Sequence, residues 1–374
     1  MNTMNFPFPK AQLDTPALVL NLEIFERNLV AMRDYAVAAG KKLRPHAKTH
    51  KCAWVAGRQL AVGGCVGICT AKVSEARAML TAGIHDILIT SPVVTEAKIA
   101  VLLDCAAASS GIMVVVDSAE NAERLSVEAQ KRQIILNVLV DIDPEMGRTG
   151  VSFEAALPLA QEIVTMPGLR LRGIQCYAGN LQHLSDYPER RDRSTGMMQR
   201  AAAVFRQFRA AGLEPNILAG TGTGTFEFDL TVPELTDIQV GSYCVMDAEY
   251  LHVGSRNQPG KFELFRPALT VLATVVSNNQ TGFVTVDAGL KTLYFTPHAP
   301  PEILGHPDWS YAWFGDEHGK VSYPDGQSKP ELGSTIELIV PHCDPTINLF
   351  DRLWLVRGSQ VVDCRPIEGR GLSY

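Results

Sequence analysis

The sequence predicts a (β/α)8 barrel of the TIM type followed by a C-terminal β domain. Three observations carry that expectation. From about residue 40, eight short apolar runs alternate with amphipathic stretches of helical period. Glycines such as Gly83 and Gly212 close several of those stretches, where a left-handed residue ends a helix. After about residue 260 the long helical stretches cease, and strand-like runs separated by turn residues take over. Eight alternations favour a closed barrel over a doubly wound sheet. Periodicity alone does not close a barrel, so an open parallel sheet meets the same pattern.

The elements follow in order. The run ALVLNL (17–22) precedes the alternating region and is expected to join the β domain. Residues 1–24 are therefore assigned to that domain, 25–260 to the barrel and 261–374 to the rest of the β domain. Barrel strands are expected at 42–48, 66–70, 86–90, 112–117, 134–142, 170–178, 216–220 and 237–243. Helices are expected at 51–62, 73–83, 95–108, 118–132, 153–165 and 189–212; the gap between the seventh and eighth strands is short and weakly helical. Beyond it PALTVLATVVSN, GFVTVDAG, TIELIVP and DRLWLVRGSQVVDC read as strands. The stretch 296–333, rich in Pro, Gly and Asp, reads as long loops.

Bulk properties exclude several function classes. A chain of 374 residues is too long for one minimal domain and suits a large α/β domain plus a smaller one. Its 46% hydrophobic and 20% charged residues are an ordinary globular balance. A formal charge of -6 with no long basic run argues against a nucleic-acid surface. No apolar run is long enough for a membrane span. The start, MNTMNFPFPK, lacks a charged segment followed by an apolar one, so no secretory signal is expected. Eight cysteines with no CxxC pair then read as reduced, mostly buried thiols of a cytoplasmic protein.

The chemistry is expected at the C-terminal ends of the barrel strands. RPHAKTHK (44–51) puts His46, Lys48 and His50 at the end of the first strand. Spaced by two, they would share one face of an extended segment, with Arg44 and Lys51 peripheral. The second strand ends at Thr70, the fifth at Asp141 with Arg148 in the following MGRTG, and the sixth at Tyr177 with His183 beyond. The seventh ends in Gly220-Thr221-Gly222-Thr223-Gly224 and the eighth in Gly241-Ser242-Tyr243. Loops after strands seven and eight are the usual phosphate site of such barrels, and GTGTG suits that role through close backbone approach. Taken singly, GTGTG is also what a flexible turn looks like, and Lys48 a solvated lysine. A phosphate site across the barrel mouth from a strand-end lysine suggests pyridoxal phosphate, whose aldehyde needs a lysine amine.

A third constellation is PHCDPTINLFD (341–351) in the β domain. On an extended segment His342 and Asp344 face one way and Cys343 the other. Imidazole plus carboxylate suits a hard divalent ion such as Mn²⁺ or Mg²⁺, whereas His342 with the Cys343 thiolate would suit zinc. An Asp-Pro turn with a capping histidine is the bland alternative.

Together RPHAKTHK, GICTAKVSEA, GRTGV, GIQCYAGNLQH, GTGTGTFEFD, ELTDIQVGSYCVMDAEY, DEHG and PHCDPTINLFD resemble the D-threonine aldolase family, in family order and over nearly the whole chain. That family belongs to the fold-type III pyridoxal phosphate enzymes, with alanine racemase and D-serine dehydratase. The resemblance implies an alanine racemase-like architecture, a homodimer, pyridoxal 5'-phosphate and a divalent metal. It implies a lyase that cleaves the Cα–Cβ bond of a small D-3-hydroxy amino acid to glycine and an aldehyde. It makes Lys48 the Schiff-base lysine and places Arg148 near the cofactor's phenolic oxygen and Tyr177 against its ring. Gly222, Thr223, Gly224, Gly241, Ser242 and Tyr243 would form the phosphate cup, and His342 and Asp344 the metal pair. His183 is the expected proton acceptor for the β-hydroxyl. Ala71 and Ala178 depart from residues often found in relatives, which bears on the substrate side chain. Two rivals stay open: a D-serine or D-3-hydroxyaspartate dehydratase, and a non-catalytic pyridoxal phosphate carrier. Asp344 in place of a cysteine argues against the first, and the β domain against the second.

Overall fold

The computed structural model describes residues 5–374. The first four residues, part of the segment 1–24 assigned to the β domain and of the stretch read as lacking a secretory signal, lie outside the described residues. The chain divides into two compact units: one of residues up to 31, 49–52 and 242–370, the other of residues 32–48, 53–241 and 371–374. In this division Gly241 ends the long stretch of one unit and Ser242 opens that of the other.

The second unit is the barrel. Its strands are, from first to eighth, Lys42–Leu43, Ile68–Thr70, Ile87–Ile89, Ile112–Val116, Leu136–Ile142, Leu169–Cys176, Ile217–Gly220 and Asp237–Ile238. They form one sheet in that circular order, and every pairing is parallel. Bridges Leu43↔Cys65 and His46↔Cys69 join the first strand to the second and close the ring, so the open sheet is excluded. Strands covered on both faces are apolar throughout, as in IMVVV, where every residue is buried. Cys69, Leu88, Met113, Val115, Leu139, Ile217 and Ala219 pack together inside.

The strands alternate with helices Ala53–Ala61, Val73–Thr81, Glu96–Ala108, Ala119–Lys131, Phe153–Ile163 and Tyr187–Ala210. Ser118, Ser152 and Asp186 cap the last three by accepting backbone N–H groups of Asn121, Ala155 and Glu189. Gly173 in the sixth strand has φ +148, and a Cβ there would lie 1.8 Å from the Ile217 carbonyl oxygen. Only glycine allows that close approach. An additional helix, Leu22–Ala38, was not expected, although Leu22, Phe25, Leu29, Met32 and Ala36 are all buried at helical spacing.

Arg44 is a second departure. It is buried, pairing through Nε with Asp237 at 2.9 Å and through Nη1 with Asp86. Those carboxylates start the eighth strand and precede the third, the end of a barrel associated with stability, so Arg44 is not peripheral. Lys51 is also buried, with φ 51.

In the other unit, Ala17–Asn21 runs antiparallel to Leu269–Ser277 on one side and parallel to Arg352–Arg357 on the other. Leu13, Val19, Leu272, Trp354, Val356 and Val361 build a core there. The stretch 296–333 is not a run of loops: it holds the strands Glu302–Ile303, Ser310–Trp313 and Gly319–Ser322. Each is short and gains stability only by pairing, the last with Phe283–Val286, which no local pattern announces. No helix among the described residues is long and apolar enough to cross a membrane.

Candidate active site

The end of the first barrel strand is held from both sides. His46 N–H donates to Val240 carbonyl at 2.9 Å, and Ala47 N–H to Cys69 carbonyl at 2.8 Å. The chain then turns through residues 47–50, so the expected alternation of an extended segment does not apply. The His46 ring does the local positioning. Thr90 Oγ1 donates to the Thr70 carbonyl at 3.2 Å, so it accepts from His46 Nε2 at 3.0 Å. His46 Nδ1 in turn accepts the Lys48 N–H at 3.3 Å. The imidazole is thereby a neutral Nε2–H tautomer that ties the lysine backbone to the third strand.

Lys48 opens into a cleft of about 510 Å³ at the barrel mouth, with Lys72, Thr90, Asp117, Arg148, Gln175, Tyr177 and Gln239 around it. That size lies within the range of small-molecule sites. The Arg148 loop is pinned by three carboxylates. Asp143 accepts the Met146 N–H at 2.8 Å, Asp117 the Gly150 N–H at 3.0 Å, and Asp141 the Thr149 hydroxyl at 2.9 Å. The Arg148 guanidinium sits 5.8 Å from the centre of the Tyr177 ring. Beneath them Gln175 Nε2 donates to Asp141 Oδ1 at 2.9 Å, and Gln239 donates to Gln175 Oε1 at 3.0 Å. Burial pushes the Asp141 carboxyl up to about 6, against the hydrogen bonds from Gln175 and Thr149. The turn before the helix Val73–Thr81 is fixed by the buried Glu75 carboxylate, which accepts the N–H groups of Ala71 and Lys72 at 2.8 and 3.1 Å.

The loop after the seventh strand is packed, not flexible. Thr221 holds φ 62, a rare conformation for a β-branched residue. Gly224 N–H donates to Gln182 Oε1 at 3.0 Å, and a Cβ at Gly224 would lie 2.0 Å from the Gln182 carbonyl oxygen. The Gly224 amide is therefore engaged within the protein, while Gly222 and Thr223 continue the buried turn. Gly241 ends the barrel unit; Ser242 and Tyr243 begin a 3-10 turn of the other unit, where the Tyr243 ring packs on Phe265. His183 is exposed and is not part of the cleft lining around Tyr177.

The metal candidate lies wholly in the β unit. Residues Cys343–Ile347 form a short helix with His342 as its N-cap, so the segment is not extended past His342. Asp-Pro favours a helix's first turn, where the missing proline N–H costs nothing. The Cys343 side chain is fully buried, and burial followed by the Asp247 charge raises its thiol well above the usual value. Its Sγ nevertheless groups with His342 and Asp247, their possible ligand atoms all lying within 4.8 Å of one another, so a thiolate ligand and zinc stand as the alternative to a hard ion. His342 Nδ1 lies 3.0 Å from Asp247 Oδ2 and 3.4 Å from Glu249 Oε2. Burial lowers the His342 pKa, but the Asp247 hydrogen bond and the charges of Asp247, Asp344 and Glu249 outweigh it and raise it to about 9. One imidazole among carboxylates fits a hard divalent cation.

Asp247 and Glu249 were missed as site residues because nothing local marks them. Asp247 is 95 residues from His342 in sequence. Gln175, Gln239 and Lys72 were missed likewise, each lying beside a strand end that was recognised for another residue.

A barrel carrying a strand-end lysine in a cationic cleft, joined to a β unit, defines the alanine racemase class of pyridoxal phosphate enzymes. Residues 20–249 match the family model "Alanine racemase, N-terminal domain", and 268–356 match "Putative serine dehydratase domain". The chain is 41% identical to a D-threonine aldolase of Arthrobacter sp, covering 98% of this chain and 95% of that protein. It is 35% identical to a 3-hydroxy-D-aspartate aldolase of Paracoccus denitrificans (strain Pd 1222), covering 98% and 94%. The structure of D-threonine aldolase from Filomicrobium marinum superposes with a TM-score of 0.94 at 36% identity, covering 99% of this chain and all of that one. The chain belongs to the D-threonine aldolase family and is a carbon–carbon lyase.

Proposed function

We propose that this enzyme cleaves the Cα–Cβ bond of small D-3-hydroxy amino acids, D-threonine or D-3-hydroxyaspartate among them, to glycine and an aldehyde. Pyridoxal phosphate and Mn²⁺ or Mg²⁺ are the proposed cofactors. The observation that carries the reading is Lys48: a primary amine whose backbone is held by His46, facing a cleft edged by Arg148 and Tyr177.

Pyridoxal phosphate at Lys48 supplies the electron sink for the pair released from the Cα–Cβ bond. A divalent ion held by His342 and Asp344 supplies a Lewis acid for the substrate's β-hydroxyl. The chain's own residues do the rest. Arg148 presents a fixed positive charge beside Tyr177, whose ring offers a flat apolar face. The glycines at 222 and 224 let the loop after the seventh strand pack tightly on Gln182, and the proposed phosphate contacts come from this loop and from Gly241, Ser242 and Tyr243. The family resemblance makes His183, on the loop leaving the sixth strand, the proposed acceptor of the β-hydroxyl proton, although its side chain is exposed and outside the lining of the Lys48 cleft. We further propose a cytoplasmic homodimer. The free cysteines among the described residues suit a reducing compartment, and pairing follows from the family resemblance.

A dehydratase is the second reading, favoured by the serine dehydratase domain match over 268–356. Asp344, two residues after His342 where the related dehydratases carry a cysteine, argues for the aldolase. The test is product identification with pyridoxal phosphate, Mn²⁺ and either D-threonine or D-3-hydroxyaspartate, with and without EDTA. Glycine plus an aldehyde, lost with EDTA, is the expected result. A 2-oxo acid plus ammonia would make the protein a dehydratase, and bound cofactor without turnover would make it a carrier.

A further inference from the structure

Asp247 has no surface exposure, and its carboxylate accepts three donors. Oδ1 takes the Tyr250 N–H at 3.0 Å, capping the short helix Ala248–Leu251. Oδ2 takes the Cys343 N–H at 2.9 Å and lies 3.0 Å from His342 Nδ1. Two further bonds, Ala248 N–H to Val340 carbonyl at 3.0 Å and Glu249 N–H to Pro341 carbonyl at 3.1 Å, lock the 247–249 segment onto the segment entering His342. The carboxylate is therefore immobile, and it faces the backbone and the ring of the same residue pair.

We propose that Asp247 is a positioning residue that selects the metal-binding tautomer of His342. An ionised carboxylate can only accept, so Nδ1 keeps its proton; the proton that leaves to solvent when an ion binds is the one on Nε2, whose lone pair then faces the ion. The same carboxylate also fixes the ring's rotation, because its second donor is the next backbone N–H. This inference rests on the proposed metal pair His342–Asp344, and it adds what makes that imidazole a ligand through one nitrogen and not the other. Asn at 247 keeps the helix cap through its Oδ1 but turns an amide donor toward His342. That favours the opposite tautomer.

The experiment uses the full-length, pyridoxal phosphate-loaded protein and Mn²⁺ as the probe, with affinity read by titration calorimetry in the wild type, H342A and D247N. The expected result is loss of binding in H342A and a roughly 10- to 100-fold weaker Kd in D247N, with the cofactor's absorbance unchanged. Loss in H342A with wild-type affinity in D247N would overturn the role of Asp247 while sparing the metal pair. Wild-type affinity in H342A would overturn the pair itself. The second measurement needs no variant: long-range ¹H–¹⁵N spectra of histidine-labelled, Mg²⁺-loaded wild type. His342 protonated at Nδ1 is expected, and a proton on Nε2 would sink the proposal even if D247N fails to fold.

Discussion

His46 Nε2 sits 3.0 Å from Thr90 Oγ1, and through that contact the ring that holds the Lys48 backbone is anchored to the end of the third barrel strand. Thr90→Val removes the hydroxyl that meets His46 Nε2 at 3.0 Å and so takes one hydrogen bond from a buried ring. A stability loss of about 1–3 kcal/mol follows, together with a fall in kcat from a less well-placed amine. Thermal unfolding and steady-state kinetics check both, and an unchanged kcat would show that Lys48 is held by other contacts.

Lys48→Ala should abolish turnover and the near-visible absorbance of lysine-bound pyridoxal phosphate after reconstitution. The neighbouring Lys72→Ala should keep that band, because Lys72 is exposed at the cleft edge. Retention of the band in the first variant would move the attachment point elsewhere.

Asp344→Ala should lower metal-stimulated turnover by about 100-fold or more, the scale of losing one electrostatic stabiliser, and leave the cofactor's absorbance intact. Turnover measured across a Mn²⁺ series decides it; full stimulation in the variant would remove Asp344 from the metal site.

Asp141 gives a pH dependence whose sign is set by burial. Its folded pKa, about 6, is raised above the unfolded value. Its contribution to stability is present in full below the unfolded pKa and is lost as pH rises through about 6. Asp141→Asn keeps the shape without the ionisation. The stability of the wild type relative to Asp141→Asn should therefore fall by about 2 kcal/mol between about pH 4 and pH 7. Denaturant unfolding of both proteins at several pH values measures this. Asp229, also near 6, is common to both and cancels.

Hydrophobic periodicity and strand-end chemistry made much of the molecule legible. All eight barrel strands and six of the helices begin close to where apolar runs put them, but the first and eighth strands, expected at 42–48 and 237–243, end at Leu43 and Ile238. Lys48, Arg148 and Tyr177, each read from the residues just beyond a strand, share one cleft. The three short strands within 296–333 were not legible, because strands of two to four residues are stabilised by their partners and not by a pattern of their own. The helix at Leu22–Ala38 was legible and overlooked.

What the sequence determined by itself is local: which segments carry a buried face, where helices stop, and which reactive side chains stand at strand ends. These depend on spacing within one element, and spacing is written in the chain. Tertiary structure alone decided the pairing of polar groups. Arg44 meets Asp86 and Asp237, Gln175 bridges Asp141 and Gln239, and Asp247 reaches His342. Buried donors and acceptors must find partners, but which partner is set by where the fold brings distant segments, and a hydrogen bond leaves no period in the sequence that makes it.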